Sequence, residues 1–389
     1  MKQPVATKPP IARIWTSIAL CLLSGVMAQG ALAAFQPETA SVKPAIDPGP
    51  NVLANDQNWA GAGDVHVYGQ QDLAYKGSIP TGSYGQMLVA PGGKKVYLLG
   101  RYMKRIVYGP VEAVVQIADV PTMTIEKEIE VPIKAVQAAD YAGLLGLSAD
   151  GKLLYVQNAT PAQSVTVVDL VGGKVLSEVP TPGCYGIYPA LHGHKFATPC
   201  GTGTFETFTI DGDDFSSQMS KQIFDADNAP IYISPLRRNN GDLILTSFSG
   251  KLLLIDDSGD TVRVKDSIDV TSGVEGNWAP GGHEVAAYNA ANDVVFLLMH
   301  ADAYEGSHKD PSQEIWAYGL QQHKLLSRTK AKGLNALASS PGETPILFGV
   351  NTEEQMIEQF KLADPKTFKF EKAAEDDRVG WSQHLEAVE

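Results

Sequence analysis

The sequence predicts an all-β fold, a seven-bladed β-propeller with an extended N-terminal arm, and three observations carry that prediction. Short β-like runs follow one another from Asp64 to the C-terminus. They recur as a unit of four strands at intervals of about 50 residues, the period of propeller blades. Strand-like material is left over at both ends of the chain, as a ring that closes on itself requires.

The segments are justified in chain order. Residues 1–33 are a secretory leader. Lys2, Lys8 and Arg13 precede an uncharged apolar run from Ile14 to Met27, and Ala31-Leu32-Ala33 supplies a small-x-small cleavage site. The apolar run is about 14 residues, short of the roughly 20 that span a bilayer. Leu20 stands where a small residue would precede a lipid-bearing Cys21. Residues 34–63 are rich in Pro, Ala, Asn and Asp and show neither structural period, so they are read as the extended arm. Residues 64–389 are the propeller. Val65-His66-Val67-Tyr68 and Val165-Thr166-Val167-Val168 alternate, and Leu252-Leu253-Leu254-Ile255 is an apolar run fit for a buried strand.

One repeat copy is clear. Leu147-Ser148-Ala149-Asp150-Gly151-Lys152 is a strand end and a D-G turn. Leu153 to Asn158 and Ser164 to Asp169 are two more strands, and Lys174-Val175-Leu176 begins a fourth. Gly92, Gly151, Gly193, Gly241, Asn292 and Gly342 mark equivalent turns, 59, 42, 48, 51 and 50 residues apart. Asp64 to Ile79 and Val379 to Val388 would close the ring from opposite ends, making seven blades. Six or eight blades and a β-sandwich array are the rival arrangements. Thr352 to Leu362 is the best candidate for a short helix.

The chain has 389 residues, 44% hydrophobic and 19% charged, ample apolar material for a core. Its net charge is −13. Loss of the three leader cations would take it to −16, which disfavours nucleic acid and anionic membrane as partners. Cys21 leaves with the leader, so Cys184 and Cys200 remain, and an exported pair of this kind is read as a disulfide. A two-thiolate metal site is the rival, but no His or Cys stands at zinc spacing to complete it.

Chemical motifs are sparse. P-loop, G-x-S-x-G, H-E-x-x-H and Cys-x-x-Cys patterns are all absent from the sequence. Gly201-Thr202-Gly203-Thr204 is Gly-rich but opens no helix, which argues against phosphate binding. His300-Ala301-Asp302-Ala303-Tyr304-Glu305-Gly306-Ser307-His308-Lys309-Asp310 joins two strand-like runs and is longer and more polar than a hairpin needs. Its two histidines and three carboxylates admit a metal reading, but an exposed loop that docks a partner is favoured. Tyr84 is expected near one mouth of the ring. Tyr185, Tyr188 and Trp278 are expected to be packing residues.

At these residues the chain resembles a known family. Gly183-Cys184-Tyr185-Gly186-Ile187-Tyr188-Pro189 with Cys200-Gly201-Thr202-Gly203 resembles the disulfide-bearing blade of methylamine and aromatic amine dehydrogenase heavy chains. Asn277-Trp278-Ala279-Pro280-Gly281-Gly282 resembles their W-x-P-G-G turn. Met299-His300-Ala301-Asp302, Glu305-Gly306-Ser307-His308-Lys309 and Glu314-Ile315-Trp316 are similar to a loop of the aromatic amine branch, and Gln157 to Ala162 to the second blade. The resemblance runs from about Val65 to Val350.

The resemblance implies a periplasmic heterotetramer of two heavy and two light chains. The light chain would carry tryptophan tryptophylquinone, oxidise a primary amine to aldehyde and ammonia, and pass electrons to a small blue-copper protein. This chain would hold no catalytic residue, cofactor or metal. The family's channel aromatic sits in a turn that matches Thr81-Gly82-Ser83-Tyr84-Gly85, where Tyr replaces Phe, so Tyr84 would line the substrate channel. His300, Asp302, Glu305, His308 and Lys309 would meet the light chain. The rival readings are a stand-alone exported binding propeller and a lactonase-like hydrolase built on a central carboxylate cluster.

Overall fold

Short turns between period-two runs leave antiparallel pairing of neighbours as the open geometry, and every repeat takes it. The computed structural model describes residues 42–59 and 61–388. Their strands form seven sheets, each of four antiparallel strands laid out from the axis to the rim, with one extra short strand in the sixth. The ring therefore has seven blades, and no α-helix occurs among the described residues. The predicted leader and residues 34–41 of the predicted arm lie outside the described residues.

The first blade is composite. Asn51–Asp56, Gly63–Gly69 and Tyr75–Thr81 come from the start of the chain, and Ser382–Val388 from its end supplies the innermost strand. The second blade runs Ser83–Val89, Lys95–Arg105, Tyr108–Asp119 and Thr124–Val131, and the plan repeats through to Lys369–Asp376.

Two expectations are corrected. The arm was expected to reach residue 63, yet Asn51–Asp56 is a strand with partners on both sides. Its Val52, Leu53 and Ala54 are fully buried. Three apolar residues are too few to show a period, and only pairing with the distant C-terminal strand reveals the strand. Thr352 to Leu362 is a turn followed by the strand Met356–Asp364. That strand has ladder partners on both edges and buries Ile357 and Phe360, so tertiary pairing overrides helical propensity.

Local chemistry sets the turns. Gly151, at φ 68°, takes the left-handed position of the D-G turn, and Asp150 Oδ1 accepts from Ser148 Oγ at 2.8 Å and the Lys152 amide at 3.1 Å. At the same end of a blade, an Asp closing the third strand accepts backbone amides two or three residues on. Asp119, Asp169, Asp256 and Asp364 all do so, the Asx-turn geometry.

The core lies between blades, where facing sheets interdigitate. Seven apolar clusters fill these layers among the described residues. Between the third and fourth blades, Tyr155 meets Phe196 at a tilt and Phe196 stacks on Phe208, with ring centroids 4.9 and 5.2 Å apart.

Candidate functional site

Strand order decides which loops share a face. Each innermost strand starts at one face of the ring, here called the upper face. Links between blades and loops between second and third strands therefore fall on that face. Trp59, Tyr84, Trp381, the Cys184–Cys200 pair and the loop 301–313 all come to it, although they span most of the chain.

Tyr84 is held by its turn. A register shift between Ser83 and Gln86 makes a bulge at the start of the innermost strand, a device that re-aims side chains. Tyr84 takes φ 55°, a left-handed conformation uncommon for a bulky residue. The glycines beside it are required by close approach. A Cβ on Gly82 would meet the Arg101 amide nitrogen at 2.5 Å, and one on Gly85 would meet Thr81 Oγ1 at 2.5 Å. The Tyr84 amide donates to the Asn58 carbonyl at 3.2 Å.

The Tyr84 ring stacks on Trp59, centroids 5.9 Å apart and planes 12° apart, and Trp59 meets Trp381 edge-on at 4.9 Å. Trp59 Nε1 donates to Gln57 Oε1 at 3.1 Å, Gln57 Nε2 donates to the carbonyls of Gly85 and Ala138, and Ser83 Oγ donates to the Trp59 carbonyl. Trp59 and Trp381 line a cavity of about 560 Å³, together with Tyr141, Tyr232, Phe248 and His308. Tyr84 stands behind Trp59 and does not itself line that cavity.

Two imidazoles at this mouth are neutral near pH 7. His283 lies against Tyr141, centroids 3.7 Å apart, with Nε2 2.7 Å from the Asp140 carbonyl oxygen. A carbonyl only accepts, so Nε2 carries the proton. Burial lowers the His283 pKa to about 4. His308 stacks on Phe248 at 4.0 Å, and burial, helped by Lys309, lowers its pKa too.

Below the mouth, a buried polar cluster crosses the axis. Asp140 Oδ2 accepts from Asn55 Nδ2 at 2.7 Å, the Met87 amide at 3.1 Å and His384 Nδ1 at 2.9 Å. Glu386 Oε1 accepts the Val89 amide and lies 3.8 Å from His384 Nε2. Glu284 accepts the Ala142 amide. Burial opposes a charged His384, but Asp140, Glu284 and Glu386 outweigh it and raise its pKa to about 10. Burial raises Glu386 to about 7, against the pull of His384, and raises Glu284 as well. His384, Glu386 and Glu284 edge an axial cavity of about 370 Å³. Asp140, Glu284 and Glu386 thus form a carboxylate cluster near the axis. No group of three His, Cys, Asp or Glu among the described residues is placed to hold a metal ion.

The remaining candidates are distributed as follows. Cys184 and Cys200 form the disulfide, which ties the entry of the fourth blade to its loop at Cys200–Thr204. In the loop 301–313, Asp302, Glu305 and Lys309 are exposed. His300 is buried, with Nδ1 3.0 Å from the Ala301 carbonyl, so its expected contact with a partner is corrected: the strand Val294–His300 carries it into the blade. Tyr188 packs against Phe205. Arg328 lies over Trp278 at 4.3 Å and Trp316 at 4.9 Å while its Nε donates to Glu314, so Trp278 is a packing residue.

Sequence reasoning missed Trp59, Trp381, Tyr141 and the Asp140–His384 pair. One signal was available. Tyr84 and Trp381 both stand at the opening of an innermost strand, so aligning the repeats would have matched the two rings.

Fold and site define a class first: a seven-bladed propeller with a ring-lined mouth at one end of its axis and a disulfide-braced loop beside it. The chain belongs to the methylamine dehydrogenase heavy chain family, whose profile matches residues 53–373. The methylamine dehydrogenase heavy chain of Methylophilus methylotrophus is 25% identical over 340 residues, covering 86% of this chain and 83% of that one. That of Methylorubrum extorquens is 26% identical over 298 residues, covering 75% and 72%. Among solved structures, a putative 6-phosphogluconolactonase from Bacteroides fragilis aligns with a TM-score of 0.62 over 90% of this chain and 100% of its own. Its 10% identity speaks for the fold alone.

Proposed function

We propose that this chain is the scaffold subunit of a periplasmic quinoprotein amine dehydrogenase, which converts a primary amine to aldehyde and ammonia and passes electrons to a small blue-copper protein. The observation that carries the reading is the family match across residues 53–373. In this reading two such chains join two light chains, and the predicted leader takes the chain to the periplasm. Tryptophan tryptophylquinone, on the light chain, supplies the sink for the two electrons removed from the amine.

This chain's own tryptophans do not fit that group. Trp59 and Trp381 meet edge-on, and Trp278 and Trp316 share Arg328 on their faces at 4.3 and 4.9 Å, so neither pair is placed as one fused unit. The chain's part is to dock the light chain and to wall the approach of the amine. The upper face suits docking. Ile106, Val107 and Tyr108, at the tip of the hairpin joining Lys95–Arg105 to Tyr108–Asp119, are 92%, 79% and 63% exposed, and Tyr304 is 64% exposed. Such apolar surface is expected where a partner covers it. Asp302, Glu305, His308 and Lys309 belong to the same contact. Neutral His283 and His308 add no positive charge to the approach of an ammonium group, although Lys309 stands at the same cavity.

The test is purification of the tagged chain from periplasm. The expected result is a small, Cys-rich partner with quinone absorption and amine-dependent dye reduction, while the isolated chain is colourless and inactive with tyramine or methylamine. Dye reduction by the isolated chain, or absence of a chromophoric partner, overturns the reading.

A further inference from the structure

We propose that the axial cavity below the mouth is a binding site for a small organic cation, a primary ammonium group carried on a short apolar stem. The binding belongs to this chain alone and does not depend on the subunit reading.

Shape is the first argument. The cavity holds about 370 Å³, within the ~300–1,000 Å³ typical of small-molecule sites. Leu88, Leu147, Pro189, Leu236, Ala338 and Ala387, near the lower ends of the innermost strands, give it apolar walls. Glu284, His384 and Glu386 face the same space. A ligand that fills it must therefore offer both apolar surface and a polar head.

Charge is the second argument. Arg237, the one Lys or Arg lining the cavity, is already occupied. Its terminal nitrogens bond both oxygens of Asp257, at 2.7 and 2.8 Å, and donate to the carbonyls of Gly241 and Pro189. His384 is bound through Nδ1 to Asp140. Even when protonated, His384 offsets only one of the three carboxylates Asp140, Glu284 and Glu386. Glu284 is 6% exposed and takes one backbone amide, from Ala142 at 2.7 Å, and Glu386 takes one from Val89 at 2.9 Å. A carboxylate has about four acceptor sites, and buried negative charge is costly without a partner.

An orphaned hydroxyl is the third argument. Tyr188 lines the cavity and is fully buried, yet its Oη has no hydrogen-bond partner. The Ser234 hydroxyl stands beside Glu284. A native interior satisfies nearly all such groups, so an orphan calls for a partner. A metal ion would need three converging ligand side chains, which the described residues do not place. An ammonium group needs no such convergence, because its three N–H donors can reach separate acceptors. Glu386 and His384 lie on the strand that closes the ring, and Glu284 precedes Ala286–Asn289 of the sixth blade. A cation bound among them ties ring closure to a neighbouring part of the circle and stabilises it.

The test uses the full chain without any partner. Its thermal midpoint is followed at fixed pH against n-butylammonium chloride, with tetramethylammonium chloride at equal ionic strength and 1-butanol as controls. Butylammonium alone is expected to raise the midpoint, by about 1–4 °C once well above its Kd. Glu284→Gln and Glu386→Gln should each remove most of that shift. Hydrogen exchange of the wild-type chain locates the site, with slowing expected at Ser382–Val388 and at the Val89 and Ala142 amides. No shift, an equal shift with tetramethylammonium or butanol, folded variants with the full shift, or slowing confined to the upper mouth would overturn the proposal. The wild-type exchange pattern decides the matter even if both variants misfold. Dye reduction by the co-purified complex tests the subunit reading separately, so either can fail alone.

Discussion

At the scale of single residues, the upper mouth is set by side chains that the backbone forces into place. Tyr84 adopts φ 55° because the bulge between Ser83 and Gln86 leaves it no strand position, and its ring then lies flat on Trp59. Truncation removes that support. Tyr84→Ala in the assembled enzyme is expected to lower kcat/KM for an arylalkylamine more than for methylamine, by roughly three- to tenfold, acting mainly through KM because the contact forms before chemistry. Tyr84→Phe keeps the stack and should stay near wild type with both amines. Steady-state kinetics with the two amines is the measurement, and a uniform change would reduce Tyr84 to a packing residue. Tyr84 was legible in the sequence because two glycines and a following apolar run marked its turn. Trp59 was not, because it sits in a segment without period, and its partner Trp381 is more than 300 positions away.

At the scale of elements, the clearest staple is the Cys184–Cys200 bond. It joins the entry of the fourth blade to the loop after Lys195–Pro199, and the Gly201 amide donates to the Gly183 carbonyl beside it. Cross-linking this loop restricts the unfolded chain. The Cys184→Ser/Cys200→Ser double variant is expected to lose about 3 kcal/mol of stability in the chain-entropy account, read as a lower urea midpoint with the slope of the transition retained. A loss below about 1 kcal/mol would show that the surrounding hydrogen bonds already hold the loop. Cysteine arithmetic predicted this bond because only two cysteines follow the leader. The same local reading failed at Thr352 to Leu362, where ladder partners on both edges impose a strand.

At the scale of the whole molecule, ring closure and the axial cluster are one device. Ser382–Val388 completes the first blade, and its His384 reaches Asp140 between the second and third blades. The cluster makes stability depend on pH. His384, raised to about 10 from 6.5, contributes stability that is full below about 6.5 and is lost as pH rises through 10. Glu386, raised to about 7, loses its contribution as pH rises from 4.5 through 7. His283, lowered to about 4, acts in the opposite sense, contributing above 6.5 and fading as pH falls toward 4. The urea midpoint is therefore expected to fall between pH 7 and pH 10, and His384→Gln should flatten that slope. An unchanged slope in the variant would place the pH dependence elsewhere.

By itself the sequence determined the kind of fold, its repeat, its disulfide and its kinship. These rest on local period, turn residues and short-range spacing, which a linear reading can register. Only the tertiary structure decided that Asn51–Asp56 belongs to the ring, that His300 is buried, that Trp59 and Trp381 meet at one mouth, and that Asp140 and His384 pair across the axis. All but the burial of His300, which its own strand carries into the blade, depend on bringing the two ends of the chain, or distant blades, to a common axis. That geometry arises from closing seven twisted sheets into a circle and leaves no period in the residues that it joins.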